Sequence, residues 1–170
     1  MKKILSLLVL LVAFASCEED VKFNTPAVQA FQGLGDGRSE LWKAREFSAV
    51  KSGNSVIVTA KNDVETIVLT INNPVPGEPQ GSSHVLGTGE LNKVTYTLSA
   101  DGITDFYQTG TGVGEGEIVI RRTADNNINA TDGKGYISGT FWFNAVNSSN
   151  KTINFERGVF YKVPILAPGQ

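Results

Sequence analysis

Residues 136–146 read Tyr136-Ile137-Ser138-Gly139-Thr140-Phe141-Trp142-Phe143-Asn144-Ala145-Val146. Successive side chains on a strand point to opposite faces, so the run separates into two sets. Ile137, Gly139, Phe141, Phe143 and Ala145 are apolar or small and belong to a core. Tyr136, Ser138, Thr140, Trp142 and Asn144 belong to the opposite, polar face. A period of two sustained over this length specifies a strand and not a helix. It is the longest strand in the sequence, and the chain on either side of it follows the same rule.

Downstream, Asn147-Ser148-Ser149-Asn150 is a turn. Thr152 to Glu156 and Val159 to Val163 return as strands, with a bulge expected at Gly158. Upstream, strands are expected at Ala27–Leu34, Leu41–Val50, Ser55–Lys61, Thr66–Ile71, Lys93–Ser99, Thr104–Thr109 and Gly116–Arg122, and a short edge strand at Ser83–Leu86. Asp101-Gly102 is a strong hairpin turn. Thr123 to Gly135 is a polar loop with a brief pairing around Ile128. The stretch from Asn72 to Gly89 carries Pro74, Pro76 and Pro79 and cannot pair as a central strand. Turn signals recurring at roughly ten-residue spacing imply a single antiparallel β-sandwich of about nine or ten strands. A lipocalin-like closed β-barrel is the alternative, and it would add an interior site for a small apolar ligand.

The run Ile137-Ser138-Gly139-Thr140-Phe141-Trp142-Phe143, an Asn/Ser turn, Ile153-Asn154-Phe155-Glu156 and Gly158-Val159-Phe160 form a recognisable series. It resembles a family of short lipoproteins of the Bacteroidota catalogued as a domain of unknown function. Phe31, Gly37 and Trp42 would be the N-terminal counterparts. The resemblance implies a β fold and lipid anchoring, and it carries over no catalytic residues.

The N-terminus agrees with an anchor. Lys2 and Lys3 precede an apolar run, Ile4 to Ala15, broken only by Ser6. About twelve residues are too few to span a bilayer, which takes roughly twenty, so the run reads as a signal peptide. Phe14-Ala15-Ser16-Cys17 resembles a lipobox, with cleavage before Cys17 and acylation of its thiol and new amine, for example by palmitate. Two or three acyl chains hold a membrane far better than one. Glu18, Glu19 and Asp20 resemble a surface-export signal. The expected organisation is a lipoprotein signal peptide at 1–16, lipidated Cys17 and an acidic tether at 17–25, a β domain at 26–164, and a tail at 165–170. The expected location is the outer membrane, facing the cell surface.

Composition narrows the chemistry. Lys2 and Lys3 are two of 15 basic residues, and the remaining 13 face 17 acidic ones, a net charge of −4 for the mature chain. That argues against nucleic acid as a partner. Cys17 is the only cysteine and His84 the only histidine. Multi-histidine metal sites and thiol nucleophiles are excluded, and a serine triad would have to use His84. No cofactor is expected.

Three constellations remain. Trp142 on a polar face, with Tyr136, Thr140 and Asn144 beside it, could stack on a sugar ring, and Trp42 is a second aromatic for the same platform. Trp42 would share a face with Ala44 and Glu46, in a strand that contains a bulge. Asp125, Asn127 and Asn129 match the first three ligand positions of a calcium loop, with Asp132 a further oxygen donor. Ala130 and Tyr136 break the pattern where Gly and Glu belong, so an Asx-rich turn reads better. Glu115, Glu117 and Asp105 are the acids available to a carboxylate-dependent hydrolase, which needs two facing each other across a cleft. The sequence therefore favours a non-catalytic binding or structural module on a lipid anchor, docking on a polysaccharide or a surface protein. A carbohydrate-binding accessory protein and a hydrolase are the other readings.

Overall fold

The strand at Tyr136–Val146 is present with the bounds read from sequence, and Ile137, Gly139, Phe141, Phe143 and Ala145 are all buried. The structure is a computed structural model that describes residues 25–34, 37–78, 81–130 and 134–166. Among these the chain forms eleven strands: β1 (Ala27–Gly33), β2 (Ser39–Lys43), β3 (Glu46–Ser52), β4 (Ser55–Lys61), β5 (Glu65–Asn72), β6 (Ser82–Leu86), β7 (Lys93–Ala100), β8 (Ile103–Gln108), β9 (Glu115–Ile120), β10 (Tyr136–Val146) and β11 (Thr152–Leu166). A 3-10 turn, Thr123–Asp125, lies between β9 and β10.

All eleven strands belong to one mixed sheet, in the order β2-β1-β11-β3-β4-β5-β7-β8-β10-β9-β6, with β10 also paired to β11. The sheet folds back on itself as two layers. Five strands, β3-β4-β5-β7-β8, face six, β2-β1-β11-β10-β9-β6. Tyr96 on β7 meets Phe155 on β11 across the gap, with ring centroids 5.4 Å apart. The layers join at two narrow seams. One is the parallel pairing of Ile165–Leu166 with Ala49–Val50, and the other is the single pair Val146–Gln108. This is a sandwich-like β fold, and its interior is filled by side chains such as Tyr96, Phe143, Phe155 and Phe160, all fully buried. The interior that a ligand-holding barrel would need is occupied by the core itself.

Two stretches depart from the simple alternation. The strand expected at Leu41–Val50 is two strands. Trp42 and Ala44 are buried from one parity, Ala49 from the other. Between them the Ala44 N–H bonds the Val28 carbonyl in one layer, at 3.0 Å. The Arg45 N–H then bonds the Lys61 carbonyl in the other, at 2.7 Å. The chain changes layers at this corner, where sequence reading placed a bulge.

The two short strands expected near the C-terminus are one, the 15-residue β11, interrupted by two bulges, and it exceeds the 11-residue β10 that the sequence marks as the longest strand. Its buried positions are Phe155, Gly158, Phe160, Val163 and Ile165, so the period of two gains a residue twice. Arg157 (φ 50°) and Lys162 (φ 47°) take left-handed backbone at these points. β11 continues through Pro164 to Leu166, where a tail was expected from residue 165, and closes the seam with β3.

The pairing of β10 with β11 gives the recurring residues a physical reason. Gly139 stands opposite Phe160, and Phe141 opposite Gly158. A Cβ on Gly139 would strike the Phe160 ring, and a Cβ on Gly158 would lie 2.6 Å from three atoms of the Phe141 ring. Each strand thus supplies a glycine as the seat for the other's aromatic ring, and larger residues overpack both seats. Ser138, expected on the polar face, is fully buried. Its hydroxyl donates to the Asp125 carbonyl (2.8 Å) and accepts from the Lys162 N–H (2.9 Å), tying the loop before β10 to the second bulge.

Candidate functional site: the outer face of the six-stranded layer

Register places one row of side chains across the outside of the six strands. Val85 on β6 pairs with Glu117 on β9, and Glu117 pairs with Trp142 on β10. Trp142 lies beside the Glu156–Arg157 bulge of β11. Glu156 pairs with Phe31 on β1, and Phe31 with Leu41 on β2. Four large apolar side chains of this row are open to solvent: Val85 at 52%, Trp142 at 40%, Phe31 at 37% and Leu41 at 50%. Strands about 4.8 Å apart set Trp142 and Phe31 roughly 10 Å from each other, with the row about 24 Å long.

A polar relay lies beside it. The Asn154 amide donates to Asn144 Oδ1 (2.6 Å), and the Asn144 amide donates to Glu115 Oε1 (2.7 Å). On the other flank Ser83 Oγ donates to Glu117 Oε1. These bonds hold amides and carboxylates in fixed orientations on a flat surface. Each still has acceptor capacity, since a carboxylate oxygen takes more than one donor.

Of the residues read from sequence, Trp142, Thr140 and Asn144 share this face. Tyr136, at the start of β10, pairs with Pro164, and the Lys162 ammonium lies 5.7 Å from its ring centroid. Trp42 does not belong to the platform. It is 3% exposed and packs edge-on to Phe155 at 6.1 Å. Its indole N–H donates to Glu65 Oε2 (2.9 Å), which also accepts from the Asn62 amide (2.5 Å), while Tyr96 donates to Glu65 Oε1 (2.5 Å). This half-buried carboxylate clamps the layers together. Burial, reinforced by the Glu65 carboxylate, pushes the Tyr96 phenol well above its ordinary range.

The residues of the calcium-like run have protein partners. Asp125 accepts from Arg122 (3.3 Å), Asn129 accepts from the Lys51 ammonium (3.1 Å), and Asn127 makes a two-way backbone bridge with Tyr136. Asn126 shapes the loop, donating to the Arg121 and Arg122 carbonyls and accepting from the Ser138 N–H. Asp132 and Cys17 lie outside the described residues. Glu115 and Glu117 stand side by side on one face of β9, and Asp105 is on β8 in the other layer. His84 is half-buried on β6 with Ser82 Oγ 3.4 Å away, and burial lowers its pKa.

Sequence reading missed Phe31, Leu41, Val85 and Asn154 as members of this face. Their outward parity is legible within each strand. What brings them into one row is the order β6-β9-β10-β11-β1-β2, which alternation does not encode.

No curated protein and no solved structure matches the chain. A family model does, over residues 24–164, from ahead of β1 to Pro164 in β11, two residues short of that strand's end. By that match the chain belongs to the family described as Domain of unknown function (DUF6252).

Proposed function

We propose that this protein is a lipid-anchored, non-catalytic recognition module that displays the outer face of its six-stranded layer. The observation that carries this reading is the exposed row Val85, Trp142, Phe31 and Leu41. Large exposed apolar side chains gathered on one sheet face and interleaved with Glu117 and Glu156 suit a partner that is itself part apolar and part polar. Acids facing each other across a cleft would favour hydrolysis instead. Glu115 and Glu117 are neighbours on an open sheet, hydrogen-bonded to Asn144 and Ser83, which supports binding over bond cleavage.

A sugar chain is the ligand this face suits best. A pyranose ring offers an apolar C–H face and an equatorial rim of hydroxyls. Trp142 supplies a flat π surface for the first. The relay Asn154–Asn144–Glu115 supplies oriented donors and acceptors for the second. Screening the detergent-solubilised chain on a glycan array tests this. Binding to a polysaccharide that Trp142→Ala abolishes is the expected result, and binding indifferent to that substitution refutes the reading.

The anchor is Cys17, in a lipobox of the kind found in Bacteroidota lipoproteins, and the location is the outer membrane with the β domain turned outward. Phe14-Ala15-Ser16-Cys17 and the acids after it support this. Cys17→Ala should move the protein out of the membrane fraction; retention there would contradict the anchor.

A further inference from the structure

Among the described residues, β8 has a ladder on one side only over most of its length. It pairs with β7 from Ile103 to Gln108 and meets β10 at the single pair Val146–Gln108. The hairpin turn determines which backbone groups are left over. Asp101 (φ 52°) and Gly102 (φ 78°) form a two-residue turn, which makes the flanking Ala100 and Ile103 a hydrogen-bonded pair. Ile103, Asp105 and Tyr107 therefore bond back to β7. Thr109 continues the series, its N–H on the Val94 carbonyl at 2.9 Å. The N–H and C=O groups of Thr104 and Phe106 point the other way, to the side where Gln108 finds Val146.

That side opens on a depression of about 470 Å³ between β8 and the turn Asn147–Asn150. Asp105 is the one charged residue among those lining it. Sheet edges are normally blunted by prolines, lysines or very short strands. β2 carries Glu40 and Lys43, and β6 is five residues long and follows Pro74 and Pro76. β8 has neither proline nor lysine, and Ile103 and Phe106 are exposed along it.

We infer that the open edge of β8, from Ile103 to Tyr107, docks an extended peptide segment of a partner protein, added as a strand with a basic side chain set against Asp105. Unpaired backbone groups at alternate residues recognise another extended backbone by main-chain hydrogen bonds, and side chains flanking the edge select its sequence. Five residues at about 3.4 Å each give the edge a length of roughly 17 Å. The carboxylate of Asp105 supplies the charge that a lysine or arginine on the incoming strand complements. The site is separate from the Trp142 face, since β8 belongs to the five-stranded layer.

The test is amide hydrogen exchange on the full chain in detergent micelles. The probe is an acetylated octapeptide of alternating threonine and valine with one central lysine. Exchange at Thr104 and Phe106 should slow about tenfold as their N–H groups gain partners. The same peptide N-methylated at every backbone nitrogen should give no slowing, and neither should the Asp105→Lys chain, whose Ile103 and Tyr107 amides report an intact hairpin. Exchange unchanged by the peptide overturns the inference, as does slowing that the N-methylated peptide reproduces or that survives in Asp105→Lys. Slowing that follows protein concentration without peptide assigns the edge to a second copy of this chain and overturns it too.

Discussion

Glu65 does more for the fold than its place at the start of a strand suggests. It accepts from Trp42, Asn62 and Tyr96, and so links the β2 corner of one layer to β5 and β7 of the other. Removing it strands a buried indole N–H and a buried phenol. Glu65→Ala should cost about 2–4 kcal/mol, read as a lower urea midpoint at unchanged m-value. Tyr96 adds a pH dependence. Its phenol is raised by burial and by the Glu65 carboxylate, so the folded chain holds the proton more tightly than the unfolded chain does. That stability is fully present below the unfolded value of about 10 and drains away as pH rises above it. Urea midpoints measured from pH 8 upward should therefore fall more steeply for the wild type than for Tyr96→Phe. Parallel curves would show that the phenol is not the group responsible.

At the scale of elements, the β10–β11 pair is the spine of the molecule, and its two reciprocal glycine–phenylalanine seats are its tightest contacts. Gly139→Ala drives a methyl into the Phe160 ring and the Val119 carbonyl. Overpacking of this kind costs about 1–3 kcal/mol or more, and thermal unfolding should show it as a drop of several degrees. Ile165, at the seam with β3, is the other sensitive point. Ile165→Ala should cost about 2–4 kcal/mol, and a smaller loss would mean the seam contributes little. β10, β4 and β5 were legible in sequence because each alternates without interruption and carries β-branched or aromatic residues on its core side. The β2–β3 corner and β11 were harder. At Arg45 the chain changes layers, and at Arg157 and Lys162 extra residues shift the parity, so a strict period of two splits or misplaces these strands. Ser138 keeps the parity read from sequence and is buried because neighbouring chain covers it. The second bulge brings the Lys162 N–H to its hydroxyl, and the loop before β10 covers it.

The whole molecule shows two unlike outer faces. The five-stranded layer presents Thr59, Thr66, Thr70, Thr95 and Thr97, the β-branched hydroxyl side chains usual on a solvated sheet, with half-buried Ile57 and Val68 among them and Val50 and Phe106 at its margins. The six-stranded layer presents the apolar row through Trp142 and Phe31, flanked by Asn144, Asn154, Glu115 and Glu117. Trp142 was legible as an outward aromatic within its own strand. The site was not, because five of the six strands that build it are distant in sequence or in an order alternation cannot give. Trp142 is 40% exposed, so truncating it also removes packing on the sheet and should cost about 1–2 kcal/mol. The most direct measurement is a glycan-array comparison of wild type and Trp142→Ala at a temperature well below both unfolding midpoints. The predicted result is a polysaccharide signal in the wild type that Trp142→Ala loses. No glycan bound by the wild type, or equal binding by both, would contradict the Trp142 face as a sugar-recognition surface.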